Sequence, residues 1–223
     1  MIPAKLSLHH VIRPAQDGNG KPPMIILLHG VGSNENDLFG LSPYLDKRFL
    51  VISARGPVTV MPGGYGWYHV DFLPGRMEIN AAEEAESRQT LIGFIDEAVT
   101  AYGADPQQVY LMGFSQGAIM SYGIMLTAPS KIAGVIAMSG RLLDEARPTQ
   151  KPQGLEGFLI IVAHGEYDNV IPIRYAREAK EYLQTLPVAM TYHEYPMAHE
   201  VSEQSLRDIV AWLAMRLGSH QDQ

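Results

Sequence analysis

Five short runs of unbroken apolar residues constrain this chain most: 24–28 (MIILL), 49–54 (FLVISA), 109–114 (VYLMGF), 132–138 (IAGVIAM) and 158–163 (FLIIVA). A strand with one wet face alternates apolar and polar residues. A strand covered on both faces does not, and such strands belong to parallel sheets layered by helices. The stretches between the runs have helical spacing. Residues 80–102 open with Glu83, Glu84 and Glu86, which suit a helix N-terminus, and then place Leu91, Ile95, Ala98 and Tyr102 on one face, with Gly103 as a stop. Residues 116–126 read as a small-residue helix, and Pro172 reads as the first turn of another. Residues 201–217 read as the last helix, with a stripe of Leu206, Ile209, Val210 and Leu213. Segments 6–12 and 190–195 look like outer strands. The alternation predicts an α/β fold with a mostly parallel central sheet and helices on both faces.

Residues 56–75 form the one long irregular stretch, rich in Gly, Pro and aromatics. Loops of that length in compact domains usually carry function. No repeat, low-complexity tract or linker interrupts the chain, so residues 1–223 are expected to form one domain.

Composition removes several functions. The net charge is −7 over 223 residues, and no Lys/Arg run exceeds Lys47-Arg48. That argues against a nucleic-acid backbone or an anionic membrane surface as partner. No window of apolar residues is long enough for stable membrane insertion, and the first ten residues lack a signal-length apolar run, so a cytoplasmic location is expected. With no cysteine, a disulfide framework, a thiolate nucleophile and a thiolate metal site are all excluded.

Gly113-Phe114-Ser115-Gln116-Gly117 matches G-x-S-x-G and stands between an apolar strand and a helix, the context this motif requires. A serine in so tight a turn needs neighbours without side chains, and the turn aims the first amides of the helix at a reacting carbonyl. Acyl transfer needs two amide donors for the oxyanion. Here one is expected from Gln116 and the other from Val31, in the glycine-containing loop His29-Gly30-Val31-Gly32 after the first apolar run. His29 reads as a brace for that loop, and Asn34 as the cap of a helix beginning near Glu35.

A serine hydroxyl needs a base, and the base needs a carboxylate. The chain order serine, acid, histidine selects Asp168, after the strand FLIIVA, and His199, between a strand and the last helix. Glu166 and Asp144 are rival acids. His69 sits in the aromatic loop, where it either meets substrate or lies idle on the surface. No H-E-x-x-H or other ligand spacing suggests a metal, and no glycine motif suggests a nucleotide, so no cofactor is expected.

The blocks HGVGSNENDL (29–38), GFSQGA (113–118), HGEYDNVIP (164–172) and MAHEVSEQSLRDIVAWL (197–213) together resemble the phospholipase/carboxylesterase family, over about residues 5–217. The resemblance implies an α/β-hydrolase without a large cap domain. It also implies hydrolysis of short to medium acyl esters or thioesters, with Ser115, Asp168 and His199 as the catalytic residues and the Val31 and Gln116 amides as the oxyanion site. Two departures stand out. Ala198 precedes the histidine where the family usually has glycine, so a slightly different loop is expected there. Trp67-Tyr68 and Asp71-Phe72 only partly match the family's Trp-Phe pair and Asp.

Met61, Trp67, Tyr68, Phe72 and Leu73 are candidates for lining the acyl or alcohol site, the alternative for each being to pack the loop onto the body. The expected partner is a small acyl ester or thioester, and an apolar rim around such a site would also suit a homodimer. Three other readings differ in kind: a thioesterase or peptidase on the same residues, a dienelactone-hydrolase-like enzyme, which wants a cysteine, and a binding protein that has kept a hydrolase scaffold.

Overall fold

A computed structural model describes residues 3–16, 20–73, 76–148 and 152–217. Its centre is a seven-stranded sheet in the order β1-β3-β2-β8-β9-β10-β11. The strands are β1 (His10–Arg13), β2 (Met24–Leu28), β3 (Leu50–Ala54), β8 (Val109–Phe114), β9 (Gly134–Met138), β10 (Phe158–Gly165) and β11 (Val188–Tyr195). All neighbours run parallel except β1, which pairs antiparallel with β3. Among the described residues, α1 (Ala81–Tyr102), α2 (Gln116–Thr127) and α3 (Arg174–Leu183) lie between strands, and α4 (Glu203–Leu217) follows β11.

The continuous apolarity of the runs has a direct cause. Met24, Ile26 and Leu28 of β2 enter one core, with Leu91, Phe94 and Ile95 of α1. Ile25 and Leu27 between them enter the opposite core, with Ile209, Trp212 and Leu213 of α4. Strands β8, β9 and β10 divide in the same way, so nearly every position of these inner strands is covered. Side chains alternate across the sheet, and here both faces are dry.

Capping follows the sequence at α1. The Asn80 side chain accepts from the Glu83 amide at 3.2 Å, and Gly103 ends the helix at φ 65°. That left-handed conformation is cheap only for glycine. The expected strands at the two chain ends are the two edges of the sheet, but the first covers only His10–Arg13 rather than 6–12. Helix α3 starts at Arg174, and Pro172 lies in the turn before it, where its carbonyl accepts from the Tyr175 amide at 2.9 Å.

Two expectations are corrected. No α-helix begins near Glu35. The Asn34 carboxamide oxygen instead accepts from the Asn36 amide at 3.0 Å, which closes a local turn, and a 3₁₀ segment follows at Leu38–Tyr44 with Pro43 inside it. A side-chain oxygen that bonds two residues ahead competes with a helix start. The stretch 56–75 is also less irregular than it reads. It contributes the hairpin β4 (Val58–Met61) with β5 (Gly64–Gly66), and the strand β6 (Val70–Leu73), which pairs antiparallel with β7 (Arg76–Ile79). Among the described residues these two hairpins are the only elements between β3 and α1, and no large cap domain is inserted there. Among the described residues no helix is long and apolar enough to cross a membrane.

Candidate active site

Strand β8 delivers Ser115 to the C-terminal edge of the sheet, and α2 begins at the next residue. Ser115 holds φ 54° and ψ −116°, a strained conformation for a side-chain-bearing residue. Its amide donates to the Met138 carbonyl at 2.9 Å, and its own carbonyl accepts from Ile119 at 3.1 Å, so both neighbouring elements fix it. The flanking glycines are sterically required. A Cβ on Gly117 would stand 1.9 Å from the Leu28 carbonyl oxygen, and one on Gly113 would stand 2.3 Å from the Gly117 backbone.

Three side chains from distant parts of the chain meet here. His199 Nε2 lies 3.0 Å from Ser115 Oγ, and His199 Nδ1 lies 2.7 Å from Asp168 Oδ2. The other Asp168 oxygen accepts from the Val170 and Ile171 amides at 2.9 and 2.8 Å. Burial pushes the Asp168 carboxyl up, but the hydrogen bond from His199, the two amides and the histidine's charge outweigh it and hold it below the ordinary carboxylate range. An ionised Asp168 accepts only, so Nδ1 carries the proton and Nε2 is left free to accept from the serine hydroxyl. The Phe114 ring packs 4.8 Å from the imidazole centroid and limits its rotation.

The histidine and aspartate loops are packed against each other. Gly165 at the end of β10 leaves no room for a Cβ, which would meet the Met197 and Ala198 carbonyl oxygens at 2.4 and 2.3 Å. Ala198 itself has no positive φ, so alanine fits there without strain. The rivals to Asp168 are elsewhere: Glu166 is exposed, and Asp144 pairs with Arg147 on the surface at 3.3 Å.

Val31, Ser115 and Gln116 line one small cleft of about 30 Å³. Among the described residues neither the Val31 nor the Gln116 amide has a protein acceptor, so both are free to donate to a bound oxygen. The loop that carries Val31 is held from below. His29 is fully buried, its Nδ1 donates to the Gly30 carbonyl at 2.7 Å, and its Nε2 accepts from the Gly56 amide at 2.9 Å. Desolvation keeps this ring neutral, as that pair of bonds requires. The Gln116 side chain accepts from the Trp67 amide at 2.7 Å and donates to the Tyr68 carbonyl at 2.7 Å, which ties the segment after β5 to the start of α2.

The aromatic candidates separate by position. Tyr68 lines the cleft. Trp67 does not: it is fully buried, because its indole N–H finds its acceptor beneath the loop, at the His29 carbonyl 3.0 Å away. Met61 is half exposed on the β4 hairpin, away from the cleft lining. The side chains of Phe72 and Leu73 lie outside the described residues. His69 pairs with Glu83 on the surface at 2.9 Å. Sequence reasoning missed Val70, Ile79, Ile119, Val170, Ile171 and Arg141, which also line the cleft. Val170 and Ile171 follow Asp168 closely and Arg141 follows the C-terminal end of β9, so those three carried a positional signal.

Among the described residues no three His, Asp or Glu side chains converge as metal ligands. The arrangement offers a serine hydroxyl with an acceptor for its proton, in a cleft that Val31 and Gln116 also line. This suits attack on a carbonyl.

Comparison with known proteins agrees in family and fold. The family model described as Phospholipase/Carboxylesterase matches residues 9–217. Acyl-protein thioesterase 1 of Kluyveromyces lactis is 26% identical, over 93% of this chain and 98% of its own. Carboxylesterase SOBER1 of Arabidopsis thaliana is 27% identical, over 86% and 90%. The crystal structure of the Bacillus cereus carboxylesterase superposes with a TM-score of 0.82 at 22% identity, over 93% of this chain and 94% of that one. This chain belongs to the phospholipase/carboxylesterase family and is an ester-hydrolysing serine hydrolase of the α/β-hydrolase fold.

Proposed function

We propose that Ser115 is the nucleophile, His199 the general base and acid, Asp168 the residue that orients the base, and the Val31 and Gln116 amides the oxyanion site. The observation that carries this is the unbroken line from Ser115 Oγ to His199 Nε2 and from His199 Nδ1 to Asp168, with contacts of 3.0 and 2.7 Å. Ser115 Oγ bonds to the ester carbonyl carbon as its proton passes to Nε2. The oxyanion rests on the two amides. The C–O bond to the alcohol then breaks, and the alcohol takes the proton from His199. Water, deprotonated by the same ring, releases the acid from Ser115.

The cleft is small, and Val70, Ile79, Ile119 and Ile171 give it apolar walls. It suits short acyl chains. Thioesters react by the same steps and are a second reading, favoured by the likeness to an acyl-protein thioesterase.

A p-nitrophenyl ester series from acetate to dodecanoate, run with wild type and Ser115→Ala, tests the assignment together with a thioester of matched acyl length. Turnover is expected to be highest for short esters. The alanine variant is expected to lose about four orders of magnitude or more, since a lone triad serine can account for that much. Full activity in Ser115→Ala would overturn the proposal.

A further inference from the structure

Among the described residues Arg141 is the one charged side chain that lines the cleft at Ser115, among walls of Val31, Val70, Ile79, Ile119, Val170 and Ile171. It arrives there through a constrained turn. Ser139 after β9 takes φ 49° and donates to the Ala163 carbonyl at 2.9 Å, and a Cβ on Gly140 would stand 2.5 Å from Ala118 Cβ. The turn is therefore pressed against the first turn of α2, beside the nucleophile.

Three other arginines have strong polar partners, although the Nε of Arg13, like those of Arg147 and Arg216, is also buried without a hydrogen bond. Arg13 donates to three carbonyls, Arg55 grips Glu35 with two contacts, and Arg88 is paired with Glu84. Arg141 has none of this. Its guanidinium carbon sits 5.4 Å from the Tyr175 ring centroid, its Nε is buried without a hydrogen-bond partner, and no carboxylate among the described residues lies within ion-pair distance. The side chain is half-buried, with a buried Nε that no protein acceptor takes up, so its donors are available to a ligand in the cleft.

The geometry points to Arg141 as a specificity-determining residue that receives a carboxylate carried by the ester substrate, a short span from the scissile carbonyl. This rests on the assignment of Ser115 as nucleophile. Arginine's planar fork matches a carboxylate with two parallel hydrogen bonds. The surroundings limit where that carboxylate can sit. Arg141 and Ile79 also line a wider adjoining cavity of about 360 Å³, whose wall carries Glu78, Asp144, Glu145 and Glu178, with Arg147 paired to Asp144. A negative group that extended into that cavity would meet like charge, whereas one held at Arg141 in the apolar cleft would not.

The test compares kcat/KM for four substrates: p-nitrophenyl valerate, which is neutral; p-nitrophenyl hydrogen glutarate, with the carboxylate on the acyl side; 4-(butyryloxy)benzoate, with it on the alcohol side; and butyrylthiocholine, which is cationic. Wild type is expected to prefer one of the two anionic esters over the neutral one by roughly tenfold or more, the range of a charge-assisted hydrogen bond. Which one identifies the half of the substrate that Arg141 reads. The ratio is expected to collapse in Arg141→Met and to survive in part in Arg141→Lys, which keeps the charge without the fork. A wild-type preference for the neutral or cationic ester, or an anionic preference unchanged in Arg141→Met, would overturn the inference. If no ester is turned over by wild type, it is the nucleophile assignment that falls. Inhibition of wild type by glutarate but not by glutaramide needs no variant, and equal or absent inhibition by the pair would count against Arg141 in the same way.

Discussion

At Ser115, ordinary backbone preferences are overridden by a site's demands. A serine at φ 54° gains nothing locally, and it persists because β8, α2 and the Met138 carbonyl hold it. That conflict was visible in the letters, since glycines two places either side of a serine between strand and helix have few other uses. Asp168 and His199 were legible through chain order and through their places at strand ends. Arg141 was marked only by its position after the C-terminal end of β9, a weak signal because a lone arginine after a strand is ordinarily a surface residue. Glu35 was read only as part of a helix start. In the structure its carboxylate is buried and grips Arg55 through contacts of 2.6 and 2.5 Å beside the Val31 loop. The hydrogen bond from Arg55 holds the Glu35 carboxyl below the usual range. Glu35→Gln is expected to cost about 1.5–3 kcal/mol at neutral pH, the usual worth of a charge-assisted bond. A carboxyl held low in the folded state stabilises above its unfolded value of about 4.3, and that contribution is lost as pH falls through the lower folded value. Urea melts of wild type and variant are therefore expected to differ at pH 7 and to begin to converge only as pH falls below the unfolded value of about 4.3. A gap that persists unchanged to the lowest pH would show that the ion pair is not its source.

Among the elements, the long strands and helices were the most readable, because burial on both faces wrote itself into β2, β3, β8, β9 and β10 as unbroken apolar runs. The β4–β5 and β6–β7 hairpins were not. They are three or four residues long, and β4 shows only a weak alternation of half-buried and exposed positions. Their order comes from elsewhere in the chain: the Gln116 carboxamide holds the segment after β5, and Gly32 and Ser33 bond to Tyr65 at 2.8 and 2.7 Å. No local pattern announces such tertiary support. The helix expected at Glu35 failed for the opposite reason, a local side-chain bond at Asn34 that outcompeted it. Among the described glycines the junction of β2, β8 and α2 is the tightest at Gly117, where any Cβ would sit 1.9 Å from Leu28 O. Gly117→Ala is expected to cost about 3 kcal/mol or more by overpacking and to lower Tm by roughly 6–12 °C. Calorimetry checks this, and a Tm within a degree of wild type would mean that the junction relaxes freely.

For the molecule as a whole, the parallel sheet turns distant sequence into a single site. Ser115 and His199 are 84 residues apart, and Asp168 and His199 are 31 apart, yet all three lie in the loops that follow the C-terminal ends of β8, β10 and β11 of one sheet. Such sheets place their sites at that edge because each crossover helix returns the chain to the opposite one. Two packed layers, one holding α1, α2 and α3 and the other α4, fix the edge so that three short loops can converge on one hydroxyl. Everything rests on this hydroxyl being an activated nucleophile. Intact-protein and peptide mass spectrometry after treatment with a fluorophosphonate, from which a nucleophilic serine displaces fluoride to form a phosphonyl ester, measures it most directly. The account predicts one adduct per chain, on the peptide that contains Ser115, absent from Ser115→Ala and strongly slowed in His199→Ala. An adduct that forms at the same rate in Ser115→Ala, or one that maps to another serine in wild type, would contradict it.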